Sequence, residues 1–261
     1  MGGVRKPTVL ILGAGRNIGI IAVKEFLDRG WNVVVGNRSP RWLEAEELGY
    51  RTFFIELTSS GSVMGTLDNA FFAKDLPNVI IYNGVVEQEI EAPTKYGDPL
   101  SISLSNMQIC QEIGFYSMFE TARWAMKSFA KIPDQKRVFM ATGHADSISK
   151  ARTEELGVAL AKVQQRYFMD YLSQVFKDTG VQFYFPSQVL SRTQMVFPGY
   201  KLSGAGHAIA FYKLANFTTQ GPWDIRFLKD GTFLEGYDIY ITDCRQRPSD
   251  QTGQRLVMQQ G

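Results

Sequence analysis

The stretch TVLILGAGRNIGIIAVKEFLDRGWNVVVGN, residues 8–37, carries more structural information than any other part of the chain. Val9 to Leu12 are apolar and read as a buried strand. A glycine cluster follows at Gly13, Gly15 and Gly19, then an amphipathic helix and a second apolar strand, Val33 to Val35. Strand, glycine turn, helix and strand in that order form the phosphate-binding corner of a dinucleotide fold. Glycine suits the turn because the backbone must bend tightly and approach a pyrophosphate with no side chain in the way. The start of the next helix then offers unpaired N–H groups and partial positive charge to the anion.

Outward from that corner, strand-like runs recur at Thr52–Ile55, Val79–Tyr82, Val138–Ala141 and Val181–Phe185, with helical patterns near 18–29, 40–47, 61–73, 102–130 and 154–178. This alternation predicts an α/β fold: a doubly wound parallel sheet of Rossmann type with helices on both faces. A last helix near 203–216, the turn Gly221-Pro222-Trp223 and an edge strand at Ile225–Phe227 complete it. No composition break appears, so a single domain over 1–243 is expected, with a substrate lid at about 186–223 and a polar surface tail at 244–261. At 261 residues, with 44% hydrophobic and 21% charged residues, the chain reads as a soluble globular protein. A net charge of +2 without a Lys/Arg stripe argues against nucleic acid. Two cysteines, Cys110 and Cys244, point to a reducing compartment; with no signal or membrane-length segment, a cytoplasmic location is expected. No metal ligands are predicted.

The layout resembles the short-chain dehydrogenase/reductase family over about 230 residues. That family carries a T-G-x-x-x-G-x-G turn; here the segment reads Leu12-Gly13-Ala14-Gly15-Arg16-Asn17-Ile18-Gly19, with Asn17 at the middle glycine. Its N-N-A-G stretch after the fourth strand corresponds to Tyr82-Asn83-Gly84-Val85. The resemblance implies that Gly13, Gly15, Arg16, Asn17, Ile18, Gly19, Leu57, Asn83 and Gly84 bind a nicotinamide cofactor, with Glu56 near the adenine. Charge indicates which cofactor. An NAD enzyme usually ends its second strand in a carboxylate that holds the ribose hydroxyls; this chain has Asn37-Arg38-Ser39, with Arg16 nearby. Guanidinium groups without a carboxylate suit a 2′-phosphate, so NADP(H) is expected; the alternative is that both arginines are solvated surface charges.

The family's catalytic set is Asn, Ser, Tyr and Lys, and most of it is missing. Lys162 matches the lysine, which in the family holds the ribose hydroxyls, but the tyrosine position four residues earlier is Val158. The serine position after the fifth strand is Gly143, between Thr142 and His144, and the helix asparagine maps to Gly114. One explanation is a non-catalytic nucleotide-sensing module. Another is a reaction that needs no phenolic acid: hydride reduction of an iminium, or a cyclisation governed by shape, with NADP(H) structural in a redox-neutral version. The retained phosphate turn and arginines favour the catalytic explanation.

The departures are also similar to those of fungal short-chain reductases with a GAGxNIG-like turn, a Thr-Gly pair after the fifth strand and a late Gln-Gly-Pro-Trp segment, here Gln220 to Trp223. More distantly they resemble the NADPH-dependent reductases that double as Diels–Alderases in fungal indole alkaloid pathways. There an arginine on the long preceding helix is catalytic, and Arg123 is its counterpart. His144 is the natural replacement acid, since imidazole exchanges protons near neutral pH, and Asp146 could orient it or meet a cationic substrate. The expected catalytic residues are therefore His144, Lys162, Arg123 and Asp146. A pocket of Tyr116, Thr142, Gly143, Val158, Phe197, Tyr200 and Trp223 would take a bulky apolar small molecule. His207 reads as structural. The resemblance also implies a homo-oligomer, dimer or tetramer, because the two long helices form a four-helix interface in many relatives, and Phe115, Phe119, Trp124, Phe168 and Tyr171 would supply its apolar contact.

Overall fold

The computed structural model describes residues 5–71, 75–85, 98–148, 156–196 and 200–235. Phe197, Cys244 and the tail at 244–261 lie outside the described residues. Seven strands form one parallel sheet in the order β3-β2-β1-β4-β5-β6-β7. They are β1 (Thr8–Leu12), β2 (Asn32–Asn37), β3 (Arg51–Phe54), β4 (Val79–Tyr82), β5 (Val138–Ala141), β6 (Gln182–Gln188) and β7 (Asp224–Phe227). The helices are α1 (Ile18–Asp28), α2 (Trp42–Leu48), α3 (Ser60–Ala70), α4 (Leu104–Gln111), α5 (Ser117–Phe129), α6 (Leu156–Val175) and α7 (Gly204–Asn216).

Central strands of such a sheet are covered on both faces, which is why they read as unbroken apolar runs rather than alternating ones. Val9 to Leu12 and Val79 to Tyr82 are wholly buried. Alternate side chains then enter two cores. Leu10, Leu12 and Ile80 meet Val63 of α3, Trp124 of α5 and Met169 of α6. Val9, Ile11 and Ile81 meet Val23 and Phe26 of α1 and Phe211 and Leu214 of α7. The order of connection reverses between β1 and β4, and their carboxyl ends there open the crevice where such sheets bind ligands.

The helix predicted over 102–130 runs without a break over 104–129, and within it α4 and α5 are joined by a π-helical turn, Glu112–Tyr116. In this turn a Cβ on Gly114 would stand 2.4 Å from the Cβ of Ala161, so α6 approaches too closely there for a side chain. Trp124, expected at an oligomer contact, is buried in the core with its Nε1 donating to Asp68 at 2.8 Å. No helix among the described residues is long and apolar enough to cross a membrane.

Candidate active site

The glycine turn leaves β1 under tight steric control. Gly13 has φ +82°, and a Cβ on it would lie 2.8 Å from the Asn83 carbonyl oxygen. A Cβ on Gly19 would lie 2.2 Å from the Ala14 Cα, so α1 can start only if this position stays bare. Gly15 is different: nothing stands within 4 Å of its missing Cβ, and this part of the turn faces open space. The Asn37 side chain clasps the turn, its Oδ1 accepting from the Ala14 N–H at 2.8 Å. Asn17 precedes α1 but its side chain gives no capping bond; its Nδ2 donates to Leu202 O at 3.0 Å, tying the turn to the approach to α7.

Beside the turn lies a cavity of about 260 Å³. Of the residues expected to bind cofactor, Gly13, Gly15, Asn37, Arg38, Ser39, Glu56, Leu57, Asn83 and Gly84 line it. Arg16 is exposed at the tip of the turn, and Arg16, Asn17, Ile18, Gly19 and Lys162 are not among the lining residues. Sequence reasoning missed Arg41, which joins Arg38 and Ser39 at the basic end and pairs with Glu44 at 3.2 Å. It also missed Ile55, Val85 and Ile113, which join Leu57 in the apolar part of the lining. Glu56 is turned to its own backbone, its Oε1 accepting from the Thr58 N–H at 2.9 Å.

A line of hydrogen bonds runs from the turn into the sheet ends and on to α6. Asn83 Nδ2 donates to Gly13 O at 2.7 Å, and its Oδ1 accepts from Thr142 Oγ1 at 2.8 Å. The Thr142 carbonyl accepts from Lys162 Nζ at 2.8 Å. Lys162 Nζ also donates to Gln165 Oε1 at 3.0 Å, and Gln165 Nε2 donates to Gly114 O. Lys162 is buried at 4% exposure, and desolvation pushes its pKa down to about 7. An amine in that state exchanges protons at neutral pH.

The expected catalytic gaps are closed by neighbours. Val158 is buried in an apolar cluster with Cys110 and Ile113. A Cβ on Gly143 would lie 1.9 Å from Ser187 Oγ, leaving no room for a serine there. His144 is half-buried, with its carbonyl held by Ser147 Oγ at 2.7 Å. The side chain of Asp146 lies outside the described residues, and Tyr200 is half-buried just before α7.

Three expected site residues are placed elsewhere. Arg123 stands on the exposed side of α5, paired with Glu120 at 2.7 Å, because three-residue spacing puts both on one helix face. Tyr116, the last residue of the π turn, is 47% exposed beside Phe115. Trp223 is core rather than lid, with the Arg166 guanidinium 5.3 Å from its ring. His207 is structural as expected: it is buried against Phe227, its Nδ1 lies 2.8 Å from Ser203 O, and burial pushes its pKa down to about 4. Among the described residues no three His, Cys, Asp or Glu side chains gather as metal ligands.

No protein-family model matches the chain. A short chain dehydrogenase/reductase, dmxR12, of Cryptosporiopsis sp. (strain 8999) is 29% identical over 246 residues, covering 91% of this chain and 96% of that protein. Among solved structures, the NADH-dependent reductase A1-R′ complexed with NAD has a TM-score of 0.70 at 14% identity, covering 86% of this chain and 95% of its own. A metagenomic short-chain oxidoreductase in complex with NADP also has a TM-score of 0.70, at 11% identity, covering 85% of this chain and 96% of its own. At such identities the structural likeness concerns the fold, which is the Rossmann-like fold of those enzymes.

Proposed function

We propose that this chain, whose sequence relative and fold support the short-chain dehydrogenase/reductase family, is an NADP(H)-dependent oxidoreductase of specialised metabolism. Its substrate is a bulky apolar small molecule carrying a carbonyl or iminium group, and residues 1–243 form one cofactor-binding domain. The observation that carries this reading is the cavity beside β1 and β4, lined by Gly15, whose missing Cβ faces open space, and by Arg38, Ser39 and Arg41. A pyrophosphate needs the bare backbone that Gly13 and Gly15 offer to the cavity, and a 2′-phosphate needs the guanidinium groups. The residues present therefore fit the cofactor.

Bound NADPH supplies a hydride to the electrophilic carbon. The chain's own residues bind, orient and deliver the proton. Lys162 sits at the end of the hydrogen-bond line from Gly13 and is the group in proton-exchanging condition, with His144 on the adjoining loop. Reduction of a ketone places the hydride on carbon and takes one proton on oxygen; reduction of an iminium requires no proton. The sealed positions at Gly143 and Gly114 and the apolar cluster about Val158 favour a second reading as well, a redox-neutral isomerase or cyclase, of Diels–Alder type, in which NADP(H) is structural.

The protein acts as a homo-oligomer through α5 and α6. Phe115, Phe119 and Phe168 pack in tilted and edge-on contacts with centroids 5.4–6.4 Å apart, and Tyr167 and Tyr171 stand exposed beside them. Calorimetric titration with NADPH and NADH tests the nucleotide reading: saturable binding with preference for NADPH is expected, and no heat with either form sinks it. Loss of nicotinamide absorbance on adding cyclic iminium or bulky ketone substrates, against unchanged absorbance with turnover, separates the reductase from the cyclase.

A further inference from the structure

Gln165 lies wholly inside the protein, three residues after Lys162 on the same face of α6. A buried carboxamide must satisfy a donor group and an acceptor group at once. This one does so by joining two elements: Oε1 accepts from Lys162 Nζ at 3.0 Å, and Nε2 donates to the Gly114 carbonyl. The span is possible because Gly114 has no side chain, Ala161 filling the space where its Cβ would be. The turn that receives the bond is itself fixed, since the Tyr82 hydroxyl donates to the neighbouring carbonyl of Ile113. Lys162 thus rests between two neutral oxygens, one from the end of β5 and one from Gln165.

We propose that Gln165 is a positioning residue of this site: its carboxamide ties the Lys162 amine to the π turn, fixing where that amine stands and how readily it exchanges a proton. The proposal rests on Lys162 as the proton-exchanging group of the oxidoreductase. A neutral acceptor shares the ammonium's charge without cancelling it, so the amine stays available to donate; a carboxylate there would hold the proton too firmly. The titratable and charged groups on α6 and on the described elements around it are Arg166, Tyr167, Asp170 and Tyr171 on α6 itself, Cys110 on α4, Glu112 and Tyr116 in the π turn, Tyr82 on β4, Tyr184 on β6, Asp224 and Arg226 on β7 and His144 after β5; the side chain of Asp146 lies outside the described residues. Burial is the cause of the lowered Lys162 pKa, and the Thr142 carbonyl and Gln165 Oε1 are the acceptors that face the amine.

The test uses the full-length protein with lysine labelled at Cε and follows Lys162 by ¹³C NMR through a pH titration, its resonance assigned by Lys162→Met. Wild type is expected to titrate near 7. Gln165→Met, matched in length, removes the acceptor and should move the midpoint down by about one pH unit, the weight of one charge-assisted hydrogen bond. Gln165→Glu should move it up by a comparable amount. Midpoints that stay within about 0.3 of wild type, on the same unit scale, or that shift in the same direction in both variants, overturn the proposal. If Gln165→Met does not fold, Gln165→Glu decides alone, an upward move supporting the proposal and any other result overturning it. Calorimetry of wild type with NADP⁺ is read separately, so a failure of the nucleotide reading is distinguishable from a failure of the Lys162–Gln165 coupling.

Discussion

Asn37 holds Ala14 from both sides: its Oδ1 accepts from the Ala14 N–H at 2.8 Å while its Nδ2 lies 3.4 Å from the Ala14 carbonyl oxygen. The residue at the end of β2, where a carboxylate would select NAD, is therefore occupied in shaping the glycine turn. Asn37→Asp keeps the first bond, loses the second and places negative charge next to Arg38. The ratio of NADPH to NADH affinity should fall about tenfold, roughly 1.4 kcal/mol. Calorimetry with both cofactors measures it, and an unchanged ratio counts against a 2′-phosphate at this end of the cavity.

Arg41 lines the cavity and Arg16 does not, although the sequence drew attention to Arg16. A charge-assisted bond to a phosphate is worth about 1.5–3 kcal/mol, so Arg41→Ala should weaken NADP⁺ binding by roughly 10- to 100-fold. Binding of NAD⁺ should barely change, and Arg16→Ala should have the smaller effect on both. The Arg41 side chain is about a third exposed, so the loss should shrink as salt rises. Equal losses for the two arginine variants would contradict the assignment.

Much of the fold was legible because buried parallel strands leave uninterrupted apolar runs: Val79–Tyr82 and Val138–Ala141 were delimited to the residue. What failed was what periodicity cannot encode. One extra residue in a helix leaves the apolar pattern nearly unchanged, so the π turn at Glu112–Tyr116 was hidden, with only Gly114 in a long helix as a signal. Arg41 was missed because the path of the chain after β2 brings it back to the cavity, and no motif records that path. Gln165 belongs to no motif, and only the fold places it between Lys162 and Gly114.

Placing at position 143 the serine that short-chain dehydrogenase/reductases carry should harm this protein. A Cβ at 143 would fall 1.9 Å from Ser187 Oγ and 2.9 Å from Pro186 O. Gly143→Ser should cost about 1–3 kcal/mol by overpacking and lower Tm by several degrees. Adding Ser187→Gly should recover much of the loss, since it empties the colliding volume. Thermal melts of the two single variants and the double variant form the cycle; additive losses would show that the two positions do not collide.

Two buried groups should make stability climb with pH. His207 is held at about 4, below its ordinary 6.5, so between these values the unfolded chain binds more protons and acid unfolds the protein. The effect amounts to about 3 kcal/mol across that window. Lys162, lowered from 10.5 to about 7, acts in the same direction above neutrality. Asp224, whose pKa burial raises, opposes the trend in acid. Urea midpoints against pH for wild type and His207→Leu separate the contributions: the variant should lose the rise between pH 4 and 6.5, whatever its stability at neutral pH.

The exposed aromatic face supplies the last test. Phe115, Val163, Tyr167, Phe168 and Tyr171 line a groove of about 560 Å³ between the π turn and α6, and Tyr167 is 74% exposed. An apolar patch of this kind is unfavourable in water and is relieved when a second copy presents the same face, because a twofold axis makes the patch self-complementary. Tyr167→Glu places a charge at its centre, and burying that charge in each half of a dimer costs more than the contact returns. Sedimentation velocity should show wild type as a dimer or larger and Tyr167→Glu as a monomer, with NADPH affinity unchanged because the cavity lies elsewhere. A wild type that sediments as a monomer at tens of micromolar would remove α6 as an interface.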